Sequence, residues 1–454
     1  MDTQNAIGWT SKRITVIGAG VSGKALAELA RRLGAEVFVS DERPLSPDTV
    51  SWLDAAGISW EGGGHTGRAF DADVLLLSSG VSPNAFCVTE ARRLGISVMG
   101  EMDFVAPHIR GRVVGVTGSN GKSTLTALCG HILGKAGLKV GVGGNIGDAA
   151  SLFTQEPFDV VVLELSSFQL YWAHNLACEV SVVTNLAPDH IDWHGSYEAY
   201  VAAKARILQL QTRDGWGIVQ DRDVEPLKAA RRDRIVALSW RQKTDSDSAG
   251  HLFMDEGAAF LRLEGKQRKL FDYRDIALLG KHNLENVAMS LAAAYLLGIE
   301  AEMPEAVEGF RPLPHRCELA GIVEEVLYVD DSKGTNVAAS VTALTSIKGR
   351  KIVILGGKGK GEDYAPLAET VLREAEAAIL LGAESENIEE ALKKAGFSAS
   401  YRVSDMEEAV LLGRRLARPG MVVLLSPACT SWDMYENYKK RGEHFSKIVR
   451  GLVP

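Results

Sequence analysis

One segment of the sequence combines glycines, a lysine and hydroxyl side chains at the spacing that binds nucleotide phosphates. It reads Gly115-Val-Thr-Gly-Ser-Asn-Gly-Lys-Ser-Thr124, between a buried-strand pattern and a helical pattern. Backbone N–H groups of such a loop, with the N-terminus of the next helix, bind phosphate oxygens. Lys122 can reach the β- and γ-phosphates, and the Ser123 hydroxyl can ligate Mg²⁺. The segment predicts an ATP site in a variant loop, since Gly118 and Gly121 lie closer together than the glycines of the standard motif.

Two side chains at predicted strand ends could bring a metal ion to these phosphates. Glu164 ends the apolar run Val161-Val-Leu-Glu, and a carboxylate there would supply the hard oxygen ligand that Mg²⁺ prefers. His190 lies just past another strand, in Thr184-Asn-Leu-Ala-Pro-Asp-His. A single histidine can be a metal ligand or a packing residue, and the residues alone leave both readings of His190 open.

A second glycine-rich turn lies near the N-terminus. Gly18-Ala-Gly-Val-Ser-Gly23 follows the first predicted strand and opens a helix, and Asp41 ends the next strand. Glycines let the backbone approach a pyrophosphate, and the carboxylate can accept ribose hydroxyl groups. The turn indicates a nucleotide diphosphate or NAD, while a tight turn that binds nothing remains an alternative.

The elements that position these residues alternate between strand and helix patterns. Short runs rich in Val and Ile end in Gly, Ser or Asp and lead into helices, which is typical of a parallel sheet covered on both faces. The runs fall into three groups: 13–17, 36–40 and 74–78; 113–117, 160–165 and 180–185; 351–355, 377–381 and 421–426.

These groups predict an α/β protein of three domains. The first, 1–100, is expected to be Rossmann-like; the second, 101–312, to be a P-loop ATPase-like parallel sheet; and the third, 313–454, to be Rossmann-like again. Linkers are expected at 99–112 and 309–314, where Pro and Gly interrupt helix. Residues 215–272 alternate between apolar and polar side chains and are punctuated by turns, which predicts a β-rich insertion in the second domain.

Composition excludes several classes of protein. The 454 residues carry a formal net charge of −8, which argues against nucleic-acid binding through many basic side chains. Five dispersed cysteines without a CxxC pair argue against a disulfide scaffold or a cysteine-bound zinc. The most apolar helical stretch, 287–299, is too short to cross a bilayer. A cytoplasmic protein without membrane insertion is expected.

Taken together, the motifs resemble the Mur ligase family, the ATP-dependent amide ligases of peptidoglycan precursor synthesis. Motifs that stand in the order of the family cover nearly the whole chain: 117–124, 143–147, Asn185, Asp189-His190, 280–283, Asn286, 315–318 and 331–336. Three further segments are similar to those of the members that add D-glutamate: 164–170, 356–361, and 425–431 followed by Asn437-Tyr438.

The resemblance implies a reaction and its partners. D-Glutamate would be joined to UDP-N-acetylmuramoyl-L-alanine through an acyl phosphate, with ATP as co-substrate and ADP and phosphate as products. The partners would be these small molecules, not nucleic acid, and the protein would act as a monomer. Two Mg²⁺ ions would be needed.

The resemblance also implies a role for each matching residue. Catalysis would depend on Lys122, His190, Lys204 and Lys333. ATP would be bound by Gly118, Ser119, Asn120, Gly121, Lys122, Ser123, Thr124, Asn283, Asn286, Arg316 and Asp331. The UDP-linked substrate would be bound by Val21, Ser22, Asp41, Glu42, Arg43, Ser79 and Asn145. D-Glutamate would contact Thr335, Lys360, Ser431 and Tyr438, and the metal ligands would be Ser123, Glu164, His190 and Lys204.

Two of these positions, Lys204 and Tyr438, and one residue outside them, Trp193, have features of their own. On its residues alone, the helical pattern around Lys204 favours a solvated lysine, whereas the resemblance implies a lysine N6-carboxylated beside divalent metal. Trp193 stands where a basic residue is frequent in the family. Tyr438 stands where phenylalanine is typical, which affects the glutamate contact and not the class of enzyme.

Two other classes of function are alternatives to a ligase. A nicotinamide-dependent oxidoreductase could use the Gly18 turn, but it leaves Lys122 and Ser123 without a role. A P-loop ATPase or nucleotide sensor that lacks ligase chemistry would be expected to have lost some of Glu164, His190, Lys333 and Lys360, and all four are present.

Overall fold

The structure is a computed structural model, and it describes residues 8–228, 231–241, 248–276, 278, 280–299, 305–310 and 313–452. Within these ranges the strands form three sheets, of five, nine and six strands. Helices cover the sheets, so the predicted α/β class with three successive sheets is confirmed.

The first sheet is entirely parallel and has the order β3-β2-β1-β4-β5. Its strands are β1 (Arg13–Ile17), β2 (Glu36–Asp41), β3 (Ser59–Gly62), β4 (Val74–Leu77) and β5 (Ser97–Gly100). Its helices are α1 (Val21–Arg32), α2 (Pro47–Ala55) and α3 (Phe86–Arg93). The strand order reverses between β1 and β4, so the loops after these two strands diverge and leave a crevice at the carboxyl edge.

The segment 99–112, expected to be a linker, connects the first sheet to the second and is largely helical. It contains α4 (Glu101–Val105) and a short 3₁₀ turn, Ala106–His108. Met102, Phe104 and Val105 are buried in the core that the first two sheets share. The connection is therefore a packed element and not an open strand of chain.

The second sheet has the order β14-β13-β12-β11-β10-β9-β6-β8-β7. Its strands are β6 (Arg112–Thr117), β7 (Val140–Gly144), β8 (Val160–Glu164), β9 (Cys178–Val183), β10 (Gln211–Gln220), β11 (Ile235–Ser239), β12 (Gly250–Asp255), β13 (Ala258–Leu263) and β14 (Lys266–Asp272). Its helices are α5 (Lys122–Lys135), α6 (Ser167–Trp172), α7 (Ile191–His194), α8 (Tyr197–Gln209) and α9 (Lys281–Leu296).

The β-rich character predicted for 215–272 is confirmed, and the strands of this segment extend the central sheet. β10, β11 and β12 pair in parallel, whereas β13 and β14 form antiparallel hairpins. Each hairpin turns at a Glu-Gly pair with positive φ, 45° and 80° at Glu256-Gly257 and 51° and 76° at Glu264-Gly265. Positive φ at both central residues matches the twist of a two-residue hairpin.

The third sheet has the order β15-β16-β20-β17-β18-β19, and only β15 is antiparallel to its neighbour. Its strands are β15 (Glu318–Val323), β16 (Val326–Asp330), β17 (Lys351–Gly356), β18 (Ala375–Leu381), β19 (Ser400–Arg402) and β20 (Val422–Leu425). Its helices are α10 (Val337–Ser346), α11 (Ala365–Glu374), α12 (Ser385–Lys394), α13 (Met406–Leu416) and α14 (Tyr438–Leu452).

Two further expectations concern the second linker and the absence of a helix that crosses a membrane. The expected linker 309–314 includes residues 311 and 312, which lie outside the described residues. Over the described ranges, no helix combines the length and the apolar character that crossing a membrane requires.

Candidate active site

The first glycine-rich motif forms a loop between β6 and α5 that is anchored by the segment after β9. Gly118 and Gly121 have φ values of 139° and 82°. A Cβ atom on Gly118 would lie 1.9 Å from Thr184 Oγ1, so only glycine fits there. The Asn120 N–H donates to Asn185 Oδ1 at 3.0 Å. These contacts fix the backbone of the loop against the segment that follows β9.

Lys122, at the start of α5, bends back over this loop. Its Nζ donates to the carbonyl oxygens of Gly118 at 2.9 Å and of Ser119 at 2.8 Å. Burial lowers the pKa of Lys122, while the carboxylate of Glu164 acts in the opposite direction. The ammonium group thus lies where the phosphates of a nucleotide would meet the loop.

Glu164 ends β8 beside the loop, because β8 pairs with β6 and Glu164 lies opposite Val116. The side chain is buried, with the residue 1% exposed, so it is not a solvated strand-end acid. Oε1 accepts a hydrogen bond from Asn145 Nδ2 at 2.7 Å. Oε2 is buried and has no hydrogen-bond partner among the described residues. A buried, unpartnered carboxylate oxygen fits a Mg²⁺ ligand.

Lys204 is buried under the same loop, contrary to the solvated lysine that its helical pattern alone favoured. It is 2% exposed, and its Nζ donates to Gly118 O at 2.7 Å. The ring centroid of Tyr200 is 4.7 Å from this nitrogen. Burial, followed by repulsion from the Lys122 cation, lowers the pKa of Lys204 well below its ordinary value. Both effects favour the neutral, nucleophilic form of the amine.

His190 lies next to Glu164 and Lys204 in the lining of one cavity. Its Nε2 is 3.6 Å from Asp189 Oδ2. Burial lowers the pKa of His190 to about 4, although the Asp189 carboxylate opposes this shift. A neutral imidazole has a free ring nitrogen that can ligate a metal ion. The structure thus brings His190 into the same cavity lining as Glu164 and Lys204.

The third sheet contributes a charged side chain to the same place. Lys360 Nζ lies 2.9 Å from Asp189 Oδ1, and Asn336 Nδ2 lies 3.4 Å from Asp189 Oδ2. Sequence reasoning assigned no role to Asp189 or Asn336. The position of Asp189 directly before His190, just past a strand end, was a signal for the first. Asn336 ends the motif 331–336 and is the N-cap of α10, and these were the signals for the second.

A cavity of ≈ 440 Å³ collects these groups. It is lined by the predicted residues Ser119, Asn120, Gly121, Lys122, Ser123, Asn145, Glu164, His190, Lys204, Arg316, Lys333, Thr335, Lys360, Ser431 and Tyr438. All residues predicted to contact metal or D-glutamate are in this lining. Loops of the second and third sheets therefore enclose one polar space.

Lys333 and Tyr438 are in direct contact on one wall of this cavity. Lys333 Nζ is 4.0 Å from the centroid of the Tyr438 ring. Burial, and then the guanidinium of Arg316, lower the pKa of Lys333 to about 7. The charge of this lysine is thus sensitive to an anion that enters the cavity.

A second cavity, of ≈ 960 Å³, adjoins the first. The predicted ATP residues in its lining are Asn120, Gly121, Thr124, Asn283, Asn286, Arg316 and Asp331. Asn120, Gly121, Arg316 and Lys333 line both cavities. A nucleoside in the larger cavity could thus extend its phosphates over the loop into the smaller one.

Arg316 and Asp331 connect the third sheet to this nucleotide region. Arg316 Nη2 donates to Ser123 Oγ at 2.7 Å. Asp331 Oδ2 accepts from Ser426 Oγ at 2.7 Å and Oδ1 accepts from the Cys317 N–H at 3.3 Å. Burial raises the pKa of Asp331 to about 7.

The residues predicted to bind the UDP end form a separate group, with the exception of Asn145. Val21, Ser22, Asp41, Glu42, Arg43 and Ser79 lie at the carboxyl edge of the first sheet and line neither cavity. Ser22 Oγ and Ser79 Oγ are 3.0 Å apart. The Asp41 carboxylate accepts from the N–H groups of Ala19 at 2.8 Å and Arg43 at 2.9 Å, so it also fixes the glycine-rich turn.

Comparison with known proteins gives matches along the chain. Residues 13–86 match the model described as MurD N-terminal domain, 116–294 the Mur ligase middle domain, and 315–429 the Mur ligase, glutamate ligase domain. A UDP-N-acetylmuramoylalanine–D-glutamate ligase of Salinibacter ruber is 38% identical over 97% of this chain and 98% of its own length. The ligase of the same name from Pelotomaculum thermopropionicum is 38% identical over 98% of each chain.

Solved structures share the fold. The UDP-N-acetylmuramate-alanine ligase MurC of Thermotoga maritima superposes with a TM-score of 0.59 at 18% identity, over 97% of this chain and 99% of that one. The MurF ligase of Thermotoga maritima, in complex with ADP, gives a TM-score of 0.59 at 17% identity, over 98% and 100%. At these identities the likeness concerns architecture alone.

The three sheets, the phosphate-binding loop and the two adjoining cavities define a three-domain α/β enzyme that uses a nucleotide. The similarity to known ligases over nearly the full length of the chain identifies the family within this class of enzymes. The chain belongs to the Mur ligase family, the ATP-dependent amide ligases of peptidoglycan precursor synthesis, as the motifs predicted.

Proposed function

We propose that the chain adds D-glutamate to UDP-N-acetylmuramoyl-L-alanine, with ATP converted to ADP and phosphate. The observation that carries the proposal is the composition of one cavity, in which Lys122 and Glu164 lie with Lys360 and Ser431. Relatives at 38% identity over nearly the full length bear the name of this ligase, which supports the choice of D-glutamate.

We assign one substrate to each domain, with the boundaries expected from the sequence. Domain 1–100 would bind the UDP-linked substrate through Val21, Ser22, Asp41, Glu42, Arg43 and Ser79. Domain 101–312 would bind ATP and Mg²⁺, and domain 313–454 the incoming amino acid. Asn145 lines the reaction cavity and would meet the muramoyl end of the first substrate.

The reaction needs an activated acyl group because a carboxylate is a poor acyl donor. A carboxylate oxygen of the alanyl residue attacks the γ-phosphorus of ATP, the bond from that phosphorus to ADP breaks, and an acyl phosphate forms. The neutral amine of D-glutamate then attacks the acyl carbon. The amide bond forms, the amine proton is lost, and phosphate leaves with its bridging oxygen.

Lys122 and the loop amides would hold the phosphates during the first step. The Lys122 ammonium already lies 2.9 Å from Gly118 O, and it would exchange carbonyl partners for phosphate oxygens. Arg316 would add a second cation, since its guanidinium reaches Ser123 at the N-terminus of α5. Both groups neutralise charge on the transferring phosphoryl group.

The residues present fit a divalent metal. Glu164 offers a buried oxygen without a partner among the described residues, and His190 is neutral because burial lowers its pKa to about 4. We propose that Ser123 and Glu164 hold one Mg²⁺, and that His190 and carboxylated Lys204 hold the second. Bound Mg²⁺ would stabilise negative charge on the phosphoryl oxygens.

Carboxylation of Lys204 is supported by the environment of its amine. A neutral Nζ attacks the carbon of CO₂, an N–C bond forms, and the proton lost from nitrogen goes to solvent. Burial and the Lys122 cation favour the neutral amine. The product is an anion, which only a metal or a cation could stabilise at a site that is 2% exposed.

Thr335, Lys360, Ser431 and Tyr438 would bind D-glutamate, and Lys333 would lie between it and the phosphates. Among these residues, Lys360 carries a positive charge and pairs with Asp189. A glutamate carboxylate would compete with Asp189 for the ammonium group of Lys360. Tyr438 presents its ring to Lys333. The hydroxyl of this tyrosine is an additional donor beside the substrate.

The test is phosphate release from ATP with UDP-N-acetylmuramoyl-L-alanine and a panel of acceptors. D-Glutamate is expected to be the best acceptor, well above L-glutamate, L-alanine and diaminopimelate. A different best acceptor would contradict the substrate assignment and leave the family assignment intact. ATP hydrolysis without either substrate would favour a nucleotide sensor, and binding of NAD(H) would favour an oxidoreductase.

Location and assembly stay predictions from the sequence. A cytoplasmic monomer that neither binds nucleic acid nor inserts into a membrane is expected. Sedimentation of the purified chain with and without substrates would measure its state of association.

A further inference from the structure

A buried carboxylate lies between the first sheet and the reaction cavity. Glu101, the first residue of α4, is 4% exposed. Its Oε2 accepts a hydrogen bond from Gln169 Nε2 at 3.1 Å, and the Ser79 hydroxyl is close enough to stabilise the same carboxylate electrostatically. A carboxyl group is rarely buried so completely without such partners. Its two partners belong to different parts of the protein.

The first partner, Ser79, lies beside the glycine-rich turn of the first sheet. Ser79 follows β4, and its Oγ is 3.0 Å from the Oγ of Ser22 at the start of α1. These two hydroxyl groups thus span the crevice where the strand order reverses. Glu101 contacts this pair from inside the protein.

The second partner, Gln169, lies beside the reaction cavity. Gln169 lies in α6, and its Oε1 accepts from the backbone N–H of Ser166 at 3.0 Å. The Gln169 N–H in turn donates to Ser166 Oγ at 3.2 Å. Ser166 is two residues past Glu164 and lines the cavity. The amide of Gln169 therefore fixes the first turn of α6 beside the proposed metal site.

A second acid on the same short helix offers a comparison. Asp103 accepts from the N–H groups of His174 at 2.6 Å and Asn175 at 2.8 Å, just past the C-terminus of α6. Both acids therefore join α4 to α6. Of the two, Glu101 has the contact with Ser79.

We propose that Glu101 is a positioning residue that sets the UDP-binding turn and the first turn of α6 in one fixed arrangement. We call Ser22, Ser79, Glu101, Gln169 and Ser166 the Glu101 network. Through it, the UDP end and the reacting end of one substrate are held at a constant separation. The inference rests on the proposed function, because it assumes that Ser79 and Ser22 contact the UDP-linked substrate.

The test is Glu101→Met, which keeps the length of the side chain and removes both acceptor oxygens. The KM for UDP-N-acetylmuramoyl-L-alanine is expected to rise about tenfold, since the buried hydrogen bond to Gln169 and the interaction with Ser79 are lost. The KM values for ATP and D-glutamate should change less than about twofold. Glu101→Gln should restore most of the affinity, because its amide oxygen can accept from Gln169 and its NH₂ group can face Ser79.

A double-mutant cycle separates positioning from general damage. Ser79→Ala and Glu101→Met should be strongly non-additive in the KM for the UDP-linked substrate, because both break the same network. Asp103→Asn is the matched control, since it weakens the attachment of α4 to α6 without touching Ser79. It should leave that KM unchanged.

The outcomes distinguish this inference from the proposed function. An unmodified chain that does not turn over UDP-N-acetylmuramoyl-L-alanine with D-glutamate contradicts the function. A functional chain whose Glu101→Met variant keeps its KM, or raises all three KM values equally, overturns the role of Glu101 alone. If Glu101→Met does not fold, Gln169→Met breaks the network from its other side and must give the same selective rise.

Discussion

The ammonium group of Lys360 lies 2.9 Å from the Asp189 carboxylate, and the two side chains are 13% and 9% exposed. The pair joins the third sheet to the segment that carries His190. Because both charges are mostly removed from water, each depends on the other for solvation. An incoming carboxylate that takes Lys360 must therefore leave Asp189 with another partner, and Asn336 is within 3.4 Å to serve.

Removing the Lys360 charge should weaken D-glutamate binding. We expect Lys360→Met to raise the KM for D-glutamate about 10- to 100-fold, since a hydrogen bond to a charged group contributes roughly 1.5–3 kcal/mol. The control is Lys358→Met, because Lys358 is an exposed lysine of the same loop. This substitution should have little effect on the KM for D-glutamate. Steady-state kinetics with D-glutamate as the varied substrate measures both. A Lys360→Met enzyme with an ordinary KM for D-glutamate would show that the lysine does not bind this substrate.

Carboxylation of Lys204 should be visible directly. Incubation with ¹³C-labelled bicarbonate is expected to give a carbamate carbon signal in the NMR spectrum of the unmodified chain, because burial and the Lys122 cation favour the neutral amine of Lys204. Lys204→Arg should lack the signal and the activity. Lys135→Arg, at an exposed position on α5, should keep both. The same signal in Lys204→Arg would assign the carbamate to another lysine.

The phosphate-binding loop should not accept a side chain at Gly118. Gly118→Ala is expected to cost about 1–3 kcal/mol of stability and to raise the KM for ATP, since the new Cβ would lie 1.9 Å from Thr184 Oγ1. Gly134→Ala is the matched control, because this glycine lies in α5 with no atom within 4 Å of the added Cβ. Its stability should rise by about 0.4–1 kcal/mol. Urea denaturation and ATP kinetics test both variants.

The pair formed by His315 and Asp330 should make stability depend on pH. His315 Nδ1 lies 2.7 Å from Asp330 Oδ2, and this hydrogen bond raises the pKa of His315 against the effect of burial. Because the pKa of His315 is raised, the pair contributes its full stabilisation of the folded state below about pH 6.5, the ordinary pKa of histidine. It is lost as the pH rises through the folded-state pKa. Denaturation midpoints compared across this window measure it.

His315→Asn should remove this part of the pH dependence, and Asp330→Asn should remove the same part from the other side. Histidines whose pKa is lowered by burial, such as His282, give a dependence of the opposite sign. For that reason the difference between the unmodified chain and each variant is the relevant quantity. If the difference did not change with pH, the pair would be uncharged in the folded protein.

Local patterns predicted the residues whose surroundings come from nearby sequence. Glu164 follows consecutive apolar residues of a central strand, so its burial and its place at the sheet edge could be predicted. The strand groups and the glycine-rich loop were predictable for the same reason, since strand periodicity and turn chemistry act over a few residues. Domain boundaries stay predictions.

Contacts between distant segments could not be predicted in this way. Lys204 is buried by Tyr200 and by the loop at Gly118. The loop is far from Lys204 in sequence, so the local pattern does not reveal this contact. Glu101 depends on Ser79, in the loop after β4, and on Gln169 in α6, which are far from each other in sequence. In both cases tertiary packing overrides the preference of a charged side chain for solvent.

The hairpin that ends the nine-stranded sheet has a consequence for how molecules of this protein meet one another. β14 is an edge strand, and its first four residues, Lys266, Gln267, Arg268 and Lys269, are exposed. An unpaired strand edge invites another chain to add by backbone hydrogen bonds, and a row of cations on it makes two such edges repel. The largest sheet among the described residues therefore ends in a border that disfavours edge-to-edge pairing of two molecules.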